Sequence, residues 1–262
     1  MNDCSVNPAD VFRLHLPETD TTMHRLRCPD LWNRPEPYVL LTTDFQTAGH
    51  GQRGTVWEAE RGKNLLFGVL FRPCSVSPSR QFLLSEALAL AVAEALERWV
   101  EGVEVKWPND VYVGDRKICG MLLEHDLEGM EICRTLVGVG INVNQRQFRG
   151  DAPNPVSLCQ LIHKETDREV ILQDLLCHFF RHLHEASSEE GAAVLHAAYL
   201  HRLYRRRGIH RFRDADGVFE AAIADVKFSG ELVLRRLDGS LRAYWFKEVQ
   251  FVCNHIKKLI RN

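Results

Sequence analysis

Val11 to Leu16 alternates apolar and polar positions, the pattern of an edge strand, and the capping residues Glu18-Thr19-Asp20-Thr21-Thr22 then open a short helix to about Cys28. Tyr38 to Phe45, YVLLTTDF, and the apolar run Leu65 to Phe71 read as buried strands. The connection between them carries glycines at 49, 51, 54 and 62, which implies a mobile loop whose backbone can approach a ligand. Ser77-Pro78 starts a long helix with proline at its first position; apolar residues from Phe82 to Trp99 recur at helical spacing and predict a core helix with a Glu/Arg outer face.

Val103-Glu104-Val105 reads as a strand that Pro108 must stop, because proline cannot donate to a ladder. Val111 to Val113, a turn at Gly114-Asp115-Arg116 and Lys117 to Leu123 then form a hairpin. Arg134 to Asn144 is a further buried strand, in which Gly138 and Gly140 mark either close approach of another group or a bulge. Two helices follow, about Arg168 to Glu185 and Ser188 to Arg206, the second ending in Arg205-Arg206-Arg207-Gly208 as cations at a helix C-terminus closed by a glycine cap, or as a patch for an anionic partner. From Ile209 short strands alternate with turns at Asp214 to Gly217, Ser229-Gly230 and Asp238 to Ser240, at the spacing of a small barrel.

Composition narrows the classes. With 262 residues, 45% apolar and 26% charged, the chain is an ordinary globular protein with enough length for a sizeable core. A net charge of -2 offers no global attraction to nucleic acid or anionic membrane. No apolar run approaches the roughly twenty residues of a membrane span, and the first residues lack the basic and apolar regions of a leader, so a cytoplasmic location is expected. The eight cysteines show no C-x-x-C spacing and read as reduced thiols, several within apolar runs. His178 and His182 lie one helical turn apart but lack a third ligand, which favours a solvated helix face over zinc.

Candidate chemistry gathers at the hairpin, which brings Asn109, Asp110 and Lys117 together: a cation beside acceptors that could orient it or hold a metal, or a turn cap. At Thr21 and Thr22 a helix start offers hydroxyls and backbone N–H groups that suit a ureido or carboxylate oxygen, or serve only as a cap.

Lys106-Trp107-Pro108-Asn109-Asp110 followed by Lys117-Ile118-Cys119-Gly120 resembles the signature of the biotin protein ligases (biotin-[acetyl-CoA-carboxylase] ligases), and further stretches repeat the match in the family's order. Thr19-Asp20-Thr21-Thr22 resembles the T-D-S-T-N stretch of the biotin pocket, with Met23 in place of asparagine. Gly49, Gly51, Arg53 and Gly54 match the G-R-G-R-x-G loop, and Trp57 the tryptophan beyond it. His50 and Gln52 stand where many members have arginine, which removes up to two cationic charges for gripping phosphate. Gly138-Val139-Gly140-Ile141-Asn142 resembles the G-x-G-I-N floor of the site, and Pro155 to Leu158 its continuation.

The resemblance implies an α+β fold: a mixed β-sheet catalytic domain packed with helices over residues 1–208, then a small SH3-like β-barrel over 209–262. It implies a ligase that activates biotin with ATP as biotinyl-5′-AMP and transfers it to a lysine of a biotin carboxyl carrier or other biotin-dependent carboxylase acceptor domain. Lys117, Arg53 and Asp110 are the expected catalytic residues. Biotin is expected at Thr21, Thr22, Met23, Gln46, Gly49, His50, Gly51, Gln52, Lys117, Gly120, Gly138 and Gly140, and ATP at Arg53, Trp57, Asn109, Asp110, Lys117 and Asn142. Mg2+ is expected to travel with ATP, with no metal held by protein ligands alone. Neither DNA nor membrane is an expected partner, and the protein is expected as a monomer or a homodimer. Two rivals stand beside this reading: a lipoate ligase, which runs the same adenylation on a related fold, and a non-catalytic biotin-binding regulator. The repressor forms of the family place a winged helix ahead of the ligase, whereas eighteen residues precede the Thr19-Asp20-Thr21-Thr22 stretch.

Overall fold

The structure is a computed structural model that describes residues 10–51, 55–72, 76–150 and 152–252. Seven strands form one mixed sheet: β1 (Val11–Leu16), β2 (Tyr38–Thr43), β3 (Leu65–Phe71), β4 (Val103–Lys106), β5 (Asp110–Val113), β6 (Arg116–Glu128) and β7 (Glu131–Ile141), in the order β1-β2-β3-β7-β6-β5-β4. Only β1 and β2 run parallel; every other neighbour pair is antiparallel. β3 carries no polar residue in LLFGVLF and is buried along its whole length, as a central strand covered on both faces must be.

On one face lie α3 (Phe82–Glu97), α5 (Arg168–Glu185) and α6 (Glu189–His201), whose apolar residues join Phe67, Val69, Val111, Val113, Cys119, Met121, Val137 and Val139 in the main core. The other face is covered only at one end, by α1 (Thr22–Leu26) and α2 (Pro29–Trp32), where Met23, Leu26 and Leu31 pack on Leu41, Leu70 and Leu136. The rest of that face is open. A short α4 (Leu158–Ile162) follows a capping box at Ser157 and Gln160.

After Gly208 the topology changes to a separate antiparallel sheet of β8 (His210–Asp214), β9 (Gly217–Val226), β10 (Leu232–Arg236), β11 (Leu241–Tyr244) and β12 (Gln250–Phe251), in the order β11-β10-β9-β8-β12. Its apolar face merges with the main core, since Phe212, Ile223, Leu232 and Leu234 belong to the same buried cluster as α3. Direct bonds cross the junction: Trp107 Nε1 donates to Gly230 O at 2.8 Å and Phe82 N to Phe228 O at 3.3 Å.

The structure corrects four expectations. Pro78 opens a 3-10 turn, Pro78–Arg80, and α3 begins only at Phe82. The acidic positions of α3 are not all outward: Glu86 is fully buried and accepts from His196 Nδ1 at 2.8 Å, a polar group that the helix can bury because α6 brings it a partner. His182 is buried rather than solvated, its ring shared between Glu94 and Glu185 at 3.1 and 2.7 Å, with His178 3.0 Å from Glu94. The arginines at 205–207 do not cap a helix. α6 ends at His201, Arg205 takes a positive φ of 59°, and the Arg205 and Arg206 guanidiniums donate to Val252 O and Ile223 O, fastening the second sheet to the first body. None of the described helices is long and apolar enough to cross a membrane.

Candidate active site

The open face of the large sheet owes its shape to glycine. One cross-strand row reads Leu66, Gly140, Gly120, Asp110, Lys106 from β3 to β4, and the next pairs Gly68, Gly138 and Leu122. A Cβ on Gly138 would lie 2.9 Å from Met23 Cγ, and one on Gly68 2.8 Å from the Leu26 side chain, so these two glycines let α1 lie flat on the strands. A Cβ on Gly140 would lie 2.5 Å from Trp57 Cε2, and one on Gly120 2.9 Å from Trp57 Cζ3. The indole of Trp57 therefore fills the middle of the floor, its Nε1 buried without a partner among the described residues.

Lys117 reaches this face through a bulge. Val111 pairs with Cys119 but Tyr112 pairs with Lys117, so Ile118 is the extra residue and the alternation of β6 slips by one. Without it Lys117 would share the core face of Cys119; with it, Lys117 joins Asp110 and Gly120. Its main chain is held at the same time, because Lys117 N donates to Asn154 O and Val156 N donates to Lys117 O, both at 2.9 Å. The ammonium lies 2.6 Å from Asp110 Oδ1, with the two side chains 29% and 20% exposed, and 5.6 Å from the Trp57 ring centroid. This pair is sheltered enough to hold its geometry and open enough to meet a ligand.

Around it runs a cleft of about 970 Å³. It starts at Thr21, Thr22, Met23 and Gln46, passes His50, Gly51, Trp57, Gly138, Gly140 and Gly120, and continues to Lys117, Asp110, Asn109 and Asn142. All the described residues expected at the site line it except Gly49, whose carbonyl accepts the Trp57 backbone N–H at 2.9 Å. Gln52, Arg53 and Gly54 lie outside the described residues.

Several of these residues are committed to structure. Thr21 is the N-cap of α1, its hydroxyl accepting from His24 N at 2.9 Å, and the Gln46 amide oxygen accepts from Thr22 N at 2.8 Å. Asn109 donates from its amide to Met121 O at 2.6 Å, which ties the strand entry to β6 and leaves its oxygen for other use. Asn142 is 3% exposed; its amide donates to Val156 O at 3.2 Å, while its Oδ1 has no partner among the described residues. A buried acceptor left open on a cleft wall suits a ligand donor. Cys119, beneath the floor, is no nucleophile, since burial drives its thiol far above the ordinary value.

Sequence patterns did not point to Glu58, Lys106, Tyr112 or Phe148 as cleft residues, nor to Phe246, Lys247, Gln250 and Phe251 of the second sheet. For Lys106, within a quoted motif, and for Tyr112, two residues beyond Asp110 on β5, strand position relative to Asp110 was the available signal; the others reach the cleft only through tertiary packing.

Residues 16–142 match the biotin/lipoate A/B protein ligase family. The biotin–[acetyl-CoA-carboxylase] ligase of Paracoccus denitrificans is 30% identical over 216 residues, 76% of this chain and 83% of that protein. The bifunctional ligase/repressor BirA of Bacillus subtilis (strain 168) is 31% identical over 171 residues, 63% of this chain and 50% of the relative, so the chain spans about half the length of that protein. Among solved structures, the biotin protein ligase from Aquifex aeolicus in complex with biotin and ATP superposes with a TM-score of 0.76 at 24% identity, covering 92% of this chain and 99% of that one.

Proposed function

Because the chain belongs to the biotin/lipoate A/B protein ligase family, we propose that it joins biotin to AMP and passes the biotinyl group to a lysine of a biotin carboxyl carrier or other acceptor domain. In the first step a biotin carboxylate oxygen attacks the α-phosphorus of ATP and pyrophosphate leaves. In the second the lysine amine attacks the acyl carbon, an amide forms and AMP departs.

The observation that carries this reading is the Lys117–Asp110 pair at 2.6 Å on a glycine floor between α1 and the buried acceptor of Asn142. Neither step requires a protein nucleophile, so the work left to the chain is positioning and charge stabilisation. Lys117 would neutralise the charge that builds as one anion attacks another, and Asp110 would hold the ammonium in place. Thr21, Thr22, Met23 and Gln46 would form the biotin end, Asn142 and Trp57 the nucleotide end, and Arg53 would grip phosphate. Mg2+ would enter as the complex with ATP, its oxygen ligands coming largely from the phosphates and water. The division into a catalytic domain of residues 1–208 and a barrel of 209–262 belongs to the same proposal, supported by the change of sheet after Gly208. So does a cytoplasmic location.

Pyrophosphate release from ATP, measured with biotin against lipoate and followed by transfer to a carboxyl carrier domain, tests the reading. Release and transfer with biotin support it. Preference for lipoate would move the chain to the other branch of the family, and biotin binding without pyrophosphate would make it a regulator.

A further inference from the structure

Resting on that reading, we infer that Glu58 is a positioning residue which fixes the nucleotide wall of the cleft. Its carboxylate joins segments ninety residues apart: Oε1 and Oε2 accept from Arg149 N at 2.8 and 3.1 Å, and Oε2 accepts from Gly150 N at 2.7 Å. Gln145 Nε2 adds a third donor at 3.3 Å. Two successive backbone N–H groups turned on one anion form a nest that favours a carboxylate over any neutral group.

The contact is built into a buried network. Gln145 is 1% exposed; its Oε1 accepts from Glu60 N at 2.9 Å and from the Asn64 amide at 2.6 Å, and its second Nε2 hydrogen goes to Gln147 O at 2.9 Å. Asn64, fully buried, accepts in turn from Val143 N at 3.1 Å. Every amide hydrogen and lone pair of Gln145 is used, so the end of the glycine loop and the segment after β7 hold each other in one arrangement.

The segment so held walls the cleft beside Lys117 and Asn142, through Phe148 and Gly150. It is tied at two points: by the Glu58 side chain at 149–150, and by the main chain of Lys117 at Asn154 and Val156. The same stretch ends at the carbonyl of Val156 that takes the Asn142 amide. The anchor of α1 stands apart, since Gln46 shares no hydrogen bond with the Glu58 network among the described residues; toward the biotin end runs the backbone bond from Trp57 N to Gly49 O, which does not involve the Glu58 carboxylate. Loosening Glu58 should thus be felt chiefly at the nucleotide end.

Two variants approach the contact from opposite sides. Glu58→Gln keeps one acceptor oxygen but turns an NH2 group toward a donor. Gly150→Ala puts a Cβ 2.9 Å from Glu58 Oε2 on an exposed residue, displacing the carboxylate with little threat to folding. Pyrophosphate release with ATP varied, equilibrium biotin binding, and amide exchange at 149 and 150 give three readouts. In both variants the two amides should exchange faster and the KM for ATP should rise about tenfold, the loss expected for a charge-assisted bond, with kcat within about threefold and biotin affinity within about twofold of wild type. An ATP KM within about twofold of wild type, or an equal fall of kcat and biotin affinity beside it, overturns the inference, since the first denies the wall a role in binding and the second makes Glu58 a general stabiliser. A wild-type protein that releases no pyrophosphate with biotin would sink the ligase reading instead, while unchanged amide exchange would by itself refute the latch.

Discussion

Lys117 has the hardest task in the proposed chemistry, and its surroundings explain how it could perform it. A fixed ammonium stabilises the transition state only if it is not reorganised during the reaction, and here bonds at its own N–H and C=O fix the backbone while Asp110 fixes the head. We expect Lys117→Met, which keeps the stem and deletes the charge, to slow adenylation about a hundred- to a thousandfold, roughly 3 to 4 kcal/mol. Biotin affinity should fall by less than the rate, because the charge matters most where anions meet. Pyrophosphate release at saturating ATP and biotin, set beside equilibrium biotin binding, checks this; a variant within a few-fold of wild type removes Lys117 from the mechanism. At this scale the sequence was informative, because Lys106 to Asp110 and Lys117 to Gly120 stand close along the chain and meet across one hairpin. Glu58 was not legible, since its partners lie ninety positions away and nothing local in Trp57-Glu58-Ala59 marks a carboxylate for a backbone nest.

At the scale of elements, apolar runs located the strands and long helices because burial forces a period on them, and β3 and α5 came out at the expected bounds. What the pattern missed is where two elements exchange polar groups. The bulge at Ile118 has no signature of its own, yet it sets the face of Lys117. Glu86 resembles any outward acid of α3 until α6 delivers His196. That pair predicts a pH effect on stability. Burial lowers His196, but the hydrogen bond and charge of Glu86, with Asp225 on the far side, raise it above its ordinary value of 6.5; burial raises Glu86 above 4.5. In both cases the folded state holds protons that the unfolded chain has released, so stability is greatest below the unfolded values and falls as pH rises through the folded ones. For His196 the loss begins near pH 6.5 and continues upward. His125, lowered by burial, works in the opposite sense but only below that pH. Urea unfolding of wild type should therefore show stability falling as pH rises above about 6.5, and His196→Gln should flatten that slope. Parallel curves for the two proteins would show that the pair does not titrate in this range.

Over the whole molecule, the two sheets differ in topology but share a core, and that determines how the protein should unfold. Phe212, Leu232 and Leu234 of the second sheet are buried in one cluster with Leu84, Leu88 and Phe67 of the first, and Trp107 is 4% exposed with its only indole donor on Gly230 O. Trp107 stands two residues before Asn109 on the chain entry to the candidate site, and Phe246 and Phe251 close the far end of the cleft. The second sheet is in this way part of the wall as well as of the core. That short strands follow Ile209 was evident from the turns, but the break of the last run into β11 and β12 was not, nor the site the sheet completes, because strand spacing carries no information on what a barrel leans against. Truncation after Gly208 would uncover Trp107, strip Arg205 and Arg206 of their carbonyl partners and open the cleft, so turnover should be lost even where secondary structure persists. The milder test is Trp107→Phe, which keeps an aromatic ring but loses part of the indole volume and leaves Gly230 O without its donor, the latter at a cost of about 1 to 3 kcal/mol. Wild type should unfold in urea as one transition seen alike by far-ultraviolet circular dichroism and by fluorescence, because the core is continuous. Trp107→Phe should lower the midpoint and reduce adenylation together, since the same contact braces the core and the approach to Asp110. If the variant lost stability with full activity, the second sheet would be a support for the fold and not for the site.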